Sequence, residues 1–513
     1  MSESRPTAVI VLAAGEGTRM KSTIPKVLHT IGGRSLVGHA LRAARGIGPE
    51  HLAVVVRHER DRVAEHVLEH DPDVLIADQD EVRGTGRAVE CALEALPQGL
   101  EGTVVVTYGD VPLLTSETLH GLVAVHEASH DAVTLITATL PDPTGYGRVL
   151  RDGDGTVAAI VEQKDATDEQ REIAEVNSGL YAFDAVVLRS ALTEVGTDNV
   201  QGEKYLTDVI AVARSRGLGV RAYPVDDLWQ TEGVNDKVQL ARLGAELNRR
   251  TVEAAMREGA IVIDPATTWI DADVTIGPDT VVHPGTQILG ATSIGRDCVI
   301  GPDTTLRDVE VDDGASVVRT QAELAEIGPG ASVGPFSFLR PGTRLGAGGK
   351  IGGFVETKNA QIAEGAKVPH LSYCGDATVG PGANIGAGTI FANYDGVTKG
   401  HTTVGAHSFI GSNSVIVAPR TIGDGAYVAA GSAVVSDVDP GQLAVTRAQQ
   451  RNIDGWVARR RAGTKTDEAA RAAQAAASAA RTEPATEPAT EPATEPATEQ
   501  PSDEPTQPKD ANG

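Results

Sequence analysis

Between residues 276 and 306 the chain reads Ile276-Gly277-Pro278-Asp279-Thr280-Val281-Val282-His283-Pro284-Gly285-Thr286-Gln287-Ile288-Leu289-Gly290-Ala291-Thr292-Ser293-Ile294-Gly295-Arg296-Asp297-Cys298-Val299-Ile300-Gly301-Pro302-Asp303-Thr304-Thr305-Leu306. An aliphatic residue returns at every sixth position: Ile276, Val282, Ile288, Ile294, Ile300 and Leu306. Helices and ordinary strands do not give a period of six. A hexapeptide repeat does: each six residues make one short strand and a turn, the aliphatic side chain points inward, and stacked coils share one core. The register resumes at Ile327, Val333, Leu339, Leu345 and Ile351, then at Ile362 and Val368, then Val379 and Ile385, and lastly from Val404 to Val434. The interruptions at 307–326, 357–361 and 391–403 are expected to be loops leaving the coil, where such a solenoid carries its site.

Upstream the texture differs. From Thr7 to about Ala138, the β-branched runs Val9–Leu12, Val54–Val56, Val74–Ile76, Val104–Val106 and Val133–Ile136 alternate with helix-like stretches. Such runs fit strands covered on both faces, and helical connections imply a mostly parallel α/β sheet. Between Asp236 and Glu258, Leu240, Leu243, Leu247, Val252 and Met256 fall at amphipathic helical spacing closed by Gly259. This reads equally as a connector or as the last helix of the first domain. From about Thr464 the sequence turns Ala-rich and then repeats Glu-Pro-Ala-Thr four times, a composition with nothing to bury and expected to be disordered. The expected division is 1–237, 238–258, 259–463 and 464–513.

A chain of 513 residues exceeds one ordinary core. The formal charge of −25 disfavours nucleic acid and anionic membranes. Part of it is local, since from Thr482 onward eight acids stand against Lys509 alone. No apolar window approaches a membrane span, and Met1–Thr7 lacks a secretory apolar core, so the expected compartment is cytoplasmic. Cys91, Cys298 and Cys374 lie far apart without metal-ligand spacing and read as reduced thiols.

Strand Val9–Leu12 runs into Ala13-Ala14-Gly15-Glu16-Gly17-Thr18-Arg19-Met20, followed by Pro25-Lys26. Small residues after a strand let backbone N–H groups approach phosphate oxygens, and Arg19 and Lys26 would neutralise a triphosphate and the charge developing on a transferred phosphorus. The spacing fits neither the dinucleotide nor the Walker pattern.

The stretch Leu12 to Met20 with Pro25-Lys26 resembles the signature of sugar-nucleotide pyrophosphorylases. Further matches are Gln79 with Gly84-Thr85-Gly86, Tyr108-Gly109-Asp110, Gly145-Tyr146-Gly147-Arg148, Glu162, Asn177-Ser178-Gly179 and Glu232-Gly233-Val234-Asn235. Joined to a hexapeptide domain, over roughly residues 7–460, the set resembles the bacterial bifunctional N-acetylglucosamine-1-phosphate uridyltransferase/glucosamine-1-phosphate acetyltransferase family.

That resemblance implies a Rossmann-like α/β nucleotidyltransferase domain followed by a left-handed parallel β-helix. Leu12, Ala13, Ala14 and Gly15, with Gln79, Gly84 and Thr85, would hold the nucleoside, and Lys26 the phosphates. Tyr108 and Gly109 lead to Asp110, which with Asn235 would hold Mg²⁺; Gly147, Glu162 and Asn177 would hold the amino sugar. Mg²⁺ suits such a place, taking one or two oxygen side chains plus phosphates and water, and Asp110 follows an apolar strand at the edge where open α/β sheets bind ligands. Arg87 departs from the family pattern, where His or a small polar residue is expected, and is expected to face solvent.

In the solenoid, polar side chains crowd Leu339–Gly342, Glu356–Lys358, Pro369–Tyr373, Gly375-Asp376, Asn384 and Asn393–Gly396. Amide formation on an amino sugar needs a base of near-neutral pKa, commonly histidine. The resemblance implies His370 as that base, Arg340, Lys358, Tyr373 and Asn384 as the glucosamine 1-phosphate site, and Ala387, Asn393, Tyr394, Ser412, Ala430 and Arg447 along an acetyl-CoA groove. It also implies a homotrimer with this site between subunits, and UTP and N-acetylglucosamine 1-phosphate as partners of the first half. The product would be UDP-N-acetylglucosamine, a cell-wall precursor. A Cys374 nucleophile paired with His370 is the rival chemistry, disfavoured because transfer from a thioester needs no covalent step. Two rival functions are a single-activity sugar-nucleotide pyrophosphorylase with a purely structural solenoid and a non-catalytic scaffold. His370, Tyr373 and Asn393-Tyr394 speak against the first, and Arg19, Lys26, Asp110 and Asn235 against the second.

Overall fold

A computed structural model describes residues 5–153, 155–199 and 201–482. The chain forms two compact units, one ending at Arg447 and the other beginning at Ala448.

The first unit opens with an α/β sheet. Its strands, in chain order, are β1 (Ala8–Leu12), the small hairpin β2 (Thr30–Ile31) and β3 (Arg34–Ser35), β4 (His51–Val56), β5 (Leu75–Asp78), β6 (Thr103–Tyr108), β7 (Val133–Thr139), β8 (Arg148–Arg151), β9 (Val157–Val161), β10 (Glu175–Asp184) and β11 (Val220–Pro224). The main sheet runs β11-β7-β10-β6-β1-β4-β5, with β8 and β9 as an antiparallel extension from β10. β1 pairs in parallel with both β4 and β6, while β10 runs antiparallel to its neighbours β6 and β7. The apolar runs are buried because both faces are covered. Ile10, Val55 and Val104 pack into one cluster, and Val9, Val54 and Val105 into another.

Strand order reverses at β1: the chain moves outward through β4 and β5, then returns to β1's other flank as β6. The carboxyl ends of β1 and β6 therefore bound a crevice, the usual ligand position in open α/β sheets.

From Ile261 onward short parallel strands stack coil upon coil. One face carries Val281–Val282, Val299–Ile300, Ser316–Val317 and Ser332–Val333 in succession, each pairing with the next. The aliphatic ladder from Ile276 to Val434 is buried as one continuous core, and the region is a parallel β-helix.

Two of the three expected loops are not loops. Across 307–326 the coil continues through Glu310–Val311, Ser316–Val317 and Thr320–Glu323, with Val311, Val317 and Ala322 buried. Several steps here are five residues instead of six, which shifts the sequence register without breaking the coil. Residues 357–361 lie within strand Glu356–Ile362, where buried Thr357 takes an inward position by sharing a 3.0 Å hydrogen bond with Thr343. Only around 391–403 does the chain leave the coil, as a tight excursion in which Tyr394 bridges Lys399 and Gly400 N–H donates to the Asn393 carbonyl at 2.8 Å.

Helix Lys237–Arg257, capped by Asp236, belongs to both halves. Leu243 packs with Met20, Ile31, Leu36 and Val234, whereas Val252 joins the solenoid core. Buried Asn248 donates to the Thr268 carbonyl and accepts from Ile270 N–H, each at 2.9 Å, tying the helix to the first coil. Ala272 N–H donates to the Gly32 carbonyl at 2.9 Å, and Arg34 reaches Asp273 at 2.5 Å.

The last coil strand is Leu443–Ala444, well short of the expected boundary at 463. In the second unit, helix Trp456–Arg460 precedes helix Lys465–Thr482. The latter corrects the expectation of disorder from Thr464. Alanine is the best helix former and needs no core to adopt the conformation, and Arg471 pairs with Asp467 one turn away at 3.0 Å. The Glu-Pro-Ala-Thr repeats lie outside the described residues. No helix among the described residues is long and apolar enough to cross a membrane.

Candidate active sites

The crevice at the ends of β1 and β6 holds a cavity of about 380 Å³. It is lined by Leu12, Ala13, Ala14, Gly15, Lys26, Gln79, Gly84, Thr85, Tyr108 and Asp110. Gly109 N–H donates to the Leu12 carbonyl at 2.9 Å, locking the two strand ends together. Gln79 Nε2 donates to the carbonyls of Val82 (3.0 Å) and Gly84 (3.1 Å), shaping the loop that enters helix Thr85–Ala95. Gly84 has φ +114° and lies so close to Lys204 that a Cβ would stand 2.2 Å from its carbonyl oxygen.

The cations of the glycine-rich turn are already paired. Lys26 Nζ donates to Asp110 Oδ2, and its stem lies against Gly17, where a Cβ would meet Lys26 Cβ at 2.6 Å. Arg19 Nη2 donates to Asn235 Oδ1 at 2.8 Å. Val234 N–H donates to the Asp110 carbonyl at 2.9 Å, so the segment carrying Asn235 is pinned beside Asp110. Asp110 and Asn235 thus present two hard oxygens, each drawing a positive charge, a donor set that fits Mg²⁺.

Gly147, Glu162 and Asn177 form a neighbouring group that does not line this cavity. Asn177 N–H donates to the Gly147 carbonyl at 2.9 Å, and a Cβ on Gly147 would meet Glu162 Oε1 at 3.3 Å. Burial, reinforced by Asp165 and Asp208, holds the Glu162 carboxyl above its ordinary range. Tyr108 links the groups, its ring lying 2.7 Å from where a Cβ on Gly179 would be.

Arg87 does not face solvent freely. It bonds Asp80 at 2.7 Å and Glu90 and Glu94 at 2.8 Å, because three carboxylates surround its turn of helix. Arg57, Arg83 and Glu203 also line the cavity. Sequence reasoning did not single them out, since isolated charges read as solvated surface.

On the β-helix, Arg340 and Lys358 occupy successive coils at one register, followed by Gly375-Asp376. Arg340 reaches Glu356 at 3.0 Å, and Lys358 Nζ stands 3.5 Å from Asp376. Asn359 and Asn393 donate to Asp376 at 3.0 and 2.5 Å, and Asn393 also approaches the Tyr373 hydroxyl at 3.4 Å. Burial pushes the Asp376 carboxyl up, but these amides and Lys358 outweigh it and hold it below the usual range. Lys399, on the excursion, was missed by sequence reasoning. The adjacent Lys358 ammonium depresses its pKa, with Arg340 adding to the effect. Three cations, Arg340, Lys358 and Lys399, stand against two carboxylates, Glu356 and Asp376, and leave a net positive charge suited to a phosphate.

His370 ends strand Lys367–His370 and is exposed. Among the described residues no side-chain hydrogen bond joins His370 or Asn384 to the cationic cluster. Asn384 lies on the other sheet, paired with Lys367 and Phe409. A line of backbone contacts does start at His370. Its carbonyl accepts from Gly388 N–H at 3.2 Å, that of Ala387 from Asn413 at 2.7 Å, and that of Ser412 from Gly431 at 2.9 Å, where Arg447 Cδ lies 3.9 Å from a Cβ on Gly431. Ala387, Ser412, Ala430 and Arg447 thus mark one edge of the prism on consecutive coils. At about 4.8 Å per coil, four steps span about 19 Å. Tyr394 projects from the excursion, its hydroxyl donating to the Gly396 carbonyl at 2.6 Å. Cys374 is fully buried inside the coil, and burial pushes its thiol up to about 12.

A nucleotide-type crevice on an α/β sheet, joined to a hexapeptide β-helix with its own cationic site, defines a nucleotidyltransferase fused to a hexapeptide transferase. Family comparison agrees: residues 9–167 match the MobA-like NTP transferase domain and residues 273–308 the bacterial transferase hexapeptide (six repeats). The chain is 58% identical over 472 residues to the bifunctional protein GlmU of Corynebacterium efficiens, covering 91% of this chain and 97% of the relative. It is 60% identical over 468 residues to that of Kineococcus radiotolerans (91% and 95%) and 61% over 470 to that of Pseudarthrobacter chlorophenolicus (91% and 96%). The chain belongs to the bifunctional GlmU family.

Proposed function

We propose that this enzyme acetylates glucosamine 1-phosphate with acetyl-CoA on its β-helix and then transfers UMP from UTP to the resulting N-acetylglucosamine 1-phosphate in its α/β half. The products are UDP-N-acetylglucosamine and pyrophosphate. Uridyl transfer belongs to residues 1–237 and acetyl transfer to the coils from 259 onward, joined by 238–258, in a cytosolic setting that supplies both UTP and acetyl-CoA.

In the first site Leu12–Gly15, Gln79, Gly84 and Thr85 hold the nucleoside, and Gly147, Glu162 and Asn177 hold the sugar. Asp110 and Asn235 would hold Mg²⁺, whose charge neutralises phosphate oxygens. Lys26 and Arg19, released from their present partners, bind the triphosphate while the sugar phosphate oxygen attacks the α-phosphorus in line and pyrophosphate departs. In the second, Arg340 and Lys358, with Lys399, hold the sugar phosphate beside Tyr373 and Asn384. His370 accepts the amine proton as nitrogen attacks the thioester carbon and the coenzyme thiolate leaves. Ala387, Asn393, Tyr394, Ser412, Ala430 and Arg447 carry the coenzyme along the prism edge.

The observation that carries this reading over a single-activity enzyme is the cluster of Arg340, Lys358 and Lys399 beside Glu356 and Asp376, which a purely structural coil does not require. We further propose a homotrimer. Phe336 and Phe354, 55% and 61% exposed with rings stacked at 5.2 Å, and Leu371, 63% exposed, support a partner-covered edge. Product analysis with glucosamine 1-phosphate, acetyl-CoA and UTP, each omitted in turn, tests the assignment. UDP-N-acetylglucosamine should require all three, and Asp110→Ala should stop uridyl transfer while acetyl transfer persists. Loss of both activities in the folded variant would rule out two separate sites.

A further inference from the structure

Apart from both sites, helix Arg60–His70 carries His66, Glu69 and His70 at i, i+3 and i+4, on one face. One ligand atom from each lies within 4.8 Å of the others, and the imidazole centroids are 4.2 Å apart. His70 Nδ1 is 2.9 Å from the His66 carbonyl oxygen. A carbonyl only accepts, so Nδ1 bears the hydrogen and the neutral ring keeps its lone pair on Nε2. His66 Nε2 lies 2.8 Å from Ser35 Oγ, which is fixed in turn by Gly38 N–H at 3.0 Å. With Nε2 held there, Nδ1 is that ring's remaining nitrogen. Each imidazole therefore has one nitrogen anchored and one free, as ligating histidines characteristically do.

We propose that His66, Glu69 and His70 bind a late first-row divalent ion of the Zn²⁺ type. Two imidazoles and a carboxylate suit Zn²⁺, Co²⁺ or Ni²⁺, whereas Mg²⁺ and Ca²⁺ require oxygen. Tetrahedral ligands at Zn–N distances of about 2.0–2.1 Å stand about 3.4 Å apart. Rotation of exposed Glu69, with small tilts of the two rings about their anchored nitrogens, would close the difference. Both lie in the last helical turn, whose unpaired carbonyls form the negative pole. None of the three lines the nucleotide cavity, so the site is separate from the oxygen donors Asp110 and Asn235. Through His66 and Ser35, the N-cap of helix Leu36–Gly46, a bound ion would clamp two helices together.

The test uses the full chain without a histidine tag, stripped with chelator, then titrated with ZnCl₂ by calorimetry and with CoCl₂ by visible absorption. The wild type should take up Zn²⁺ saturably and give a Co²⁺ ligand-field band, and His70→Ala should bind about tenfold more weakly or worse. In chelator the exposed substitution should leave the melting temperature unchanged. Glu69→Gln, equal in size, provides the same readout should His70→Ala disturb the helix. Identical isotherms for wild type and both variants, or no saturable uptake of either ion by the wild type, would overturn the assignment.

Discussion

Replacing Gly84 by alanine tests how closely the nucleotide crevice is built. The added Cβ would lie 2.2 Å from the Lys204 carbonyl oxygen and 2.6 Å from its nitrogen, both rigid backbone. A carbon–oxygen contact needs about 3.3 Å, so the segments must part by about 1 Å. Lys204 is tied on both sides: its N–H donates to the Arg83 carbonyl and its carbonyl accepts from Gly86 N–H, each at 2.8 Å. Losing those bonds costs about 0.5–1.5 kcal/mol each, and overpacking adds about 1–3 kcal/mol. The sum, about 2–6 kcal/mol, corresponds to a fall of roughly 4–24 °C in the unfolding of the α/β half. Displacing Thr85 and Gln79 by that distance should also slow uridyl transfer on the order of 100-fold. Gly15→Ala is the control, because a Cβ there meets nothing within 4 Å. Its melting should stay within about 1 °C of wild type, while the methyl group obstructs the crevice and raises KM for UTP. Calorimetry reads stability, pyrophosphate release reads uridyl transfer, and thiol release from acetyl-CoA should be unchanged in both variants. A Gly84→Ala protein with wild-type melting and uridyl transfer would refute the reasoning.

His370→Ala should lower acetyl transfer by about 10²–10⁴-fold, whereas Cys374→Ala should retain it and cost about 1 kcal/mol of stability from the small void. The opposite pattern in thiol-release assays would transfer the chemistry to the cysteine. Because Lys358 depresses the Lys399 pKa, Lys399 carries more free amine near pH 8 than an isolated lysine. It should therefore acylate faster in peptide mapping, and Lys358→Met should raise its pKa and slow that reaction; an unchanged rate would deny their proximity. Asn248→Ala strands the Thr268 carbonyl and Ile270 N–H, a loss of about 2–4 kcal/mol that should appear in thermal unfolding. A wild-type melting curve would show that the helix does not brace the first coil.

The solenoid was legible because inward positions of a closed coil accept little besides aliphatic residues, so the core writes its period into the chain. The reading faltered where that rule relaxes: Val311 and Ala322 follow five-residue steps, and Thr357 replaces an aliphatic residue by satisfying its hydroxyl internally. Gly17 and Gly84 were visible because close backbone or side-chain approach demands glycine. Arg83 and Lys399 were not, because a lone cation in a polar stretch reads the same whether it faces a site or open solvent. The edge from His370 to Arg447 was supplied by family resemblance alone; coil stacking explains why residues at such uneven intervals become neighbours. Helix Lys465–Thr482 shows the converse, local propensity forming structure where composition offers no core.

The edge running from His370 to Arg447 is assembled one rung per turn of the spiral. Its reach is therefore quantised: an insertion or deletion of a whole turn would lengthen or shorten the track by about 4.8 Å and leave every other rung in phase. A partial turn would rotate all later rungs onto another wall. Evolution can thus alter the length of this track only in whole-coil increments, with His370 at its fixed end as the origin of the scale.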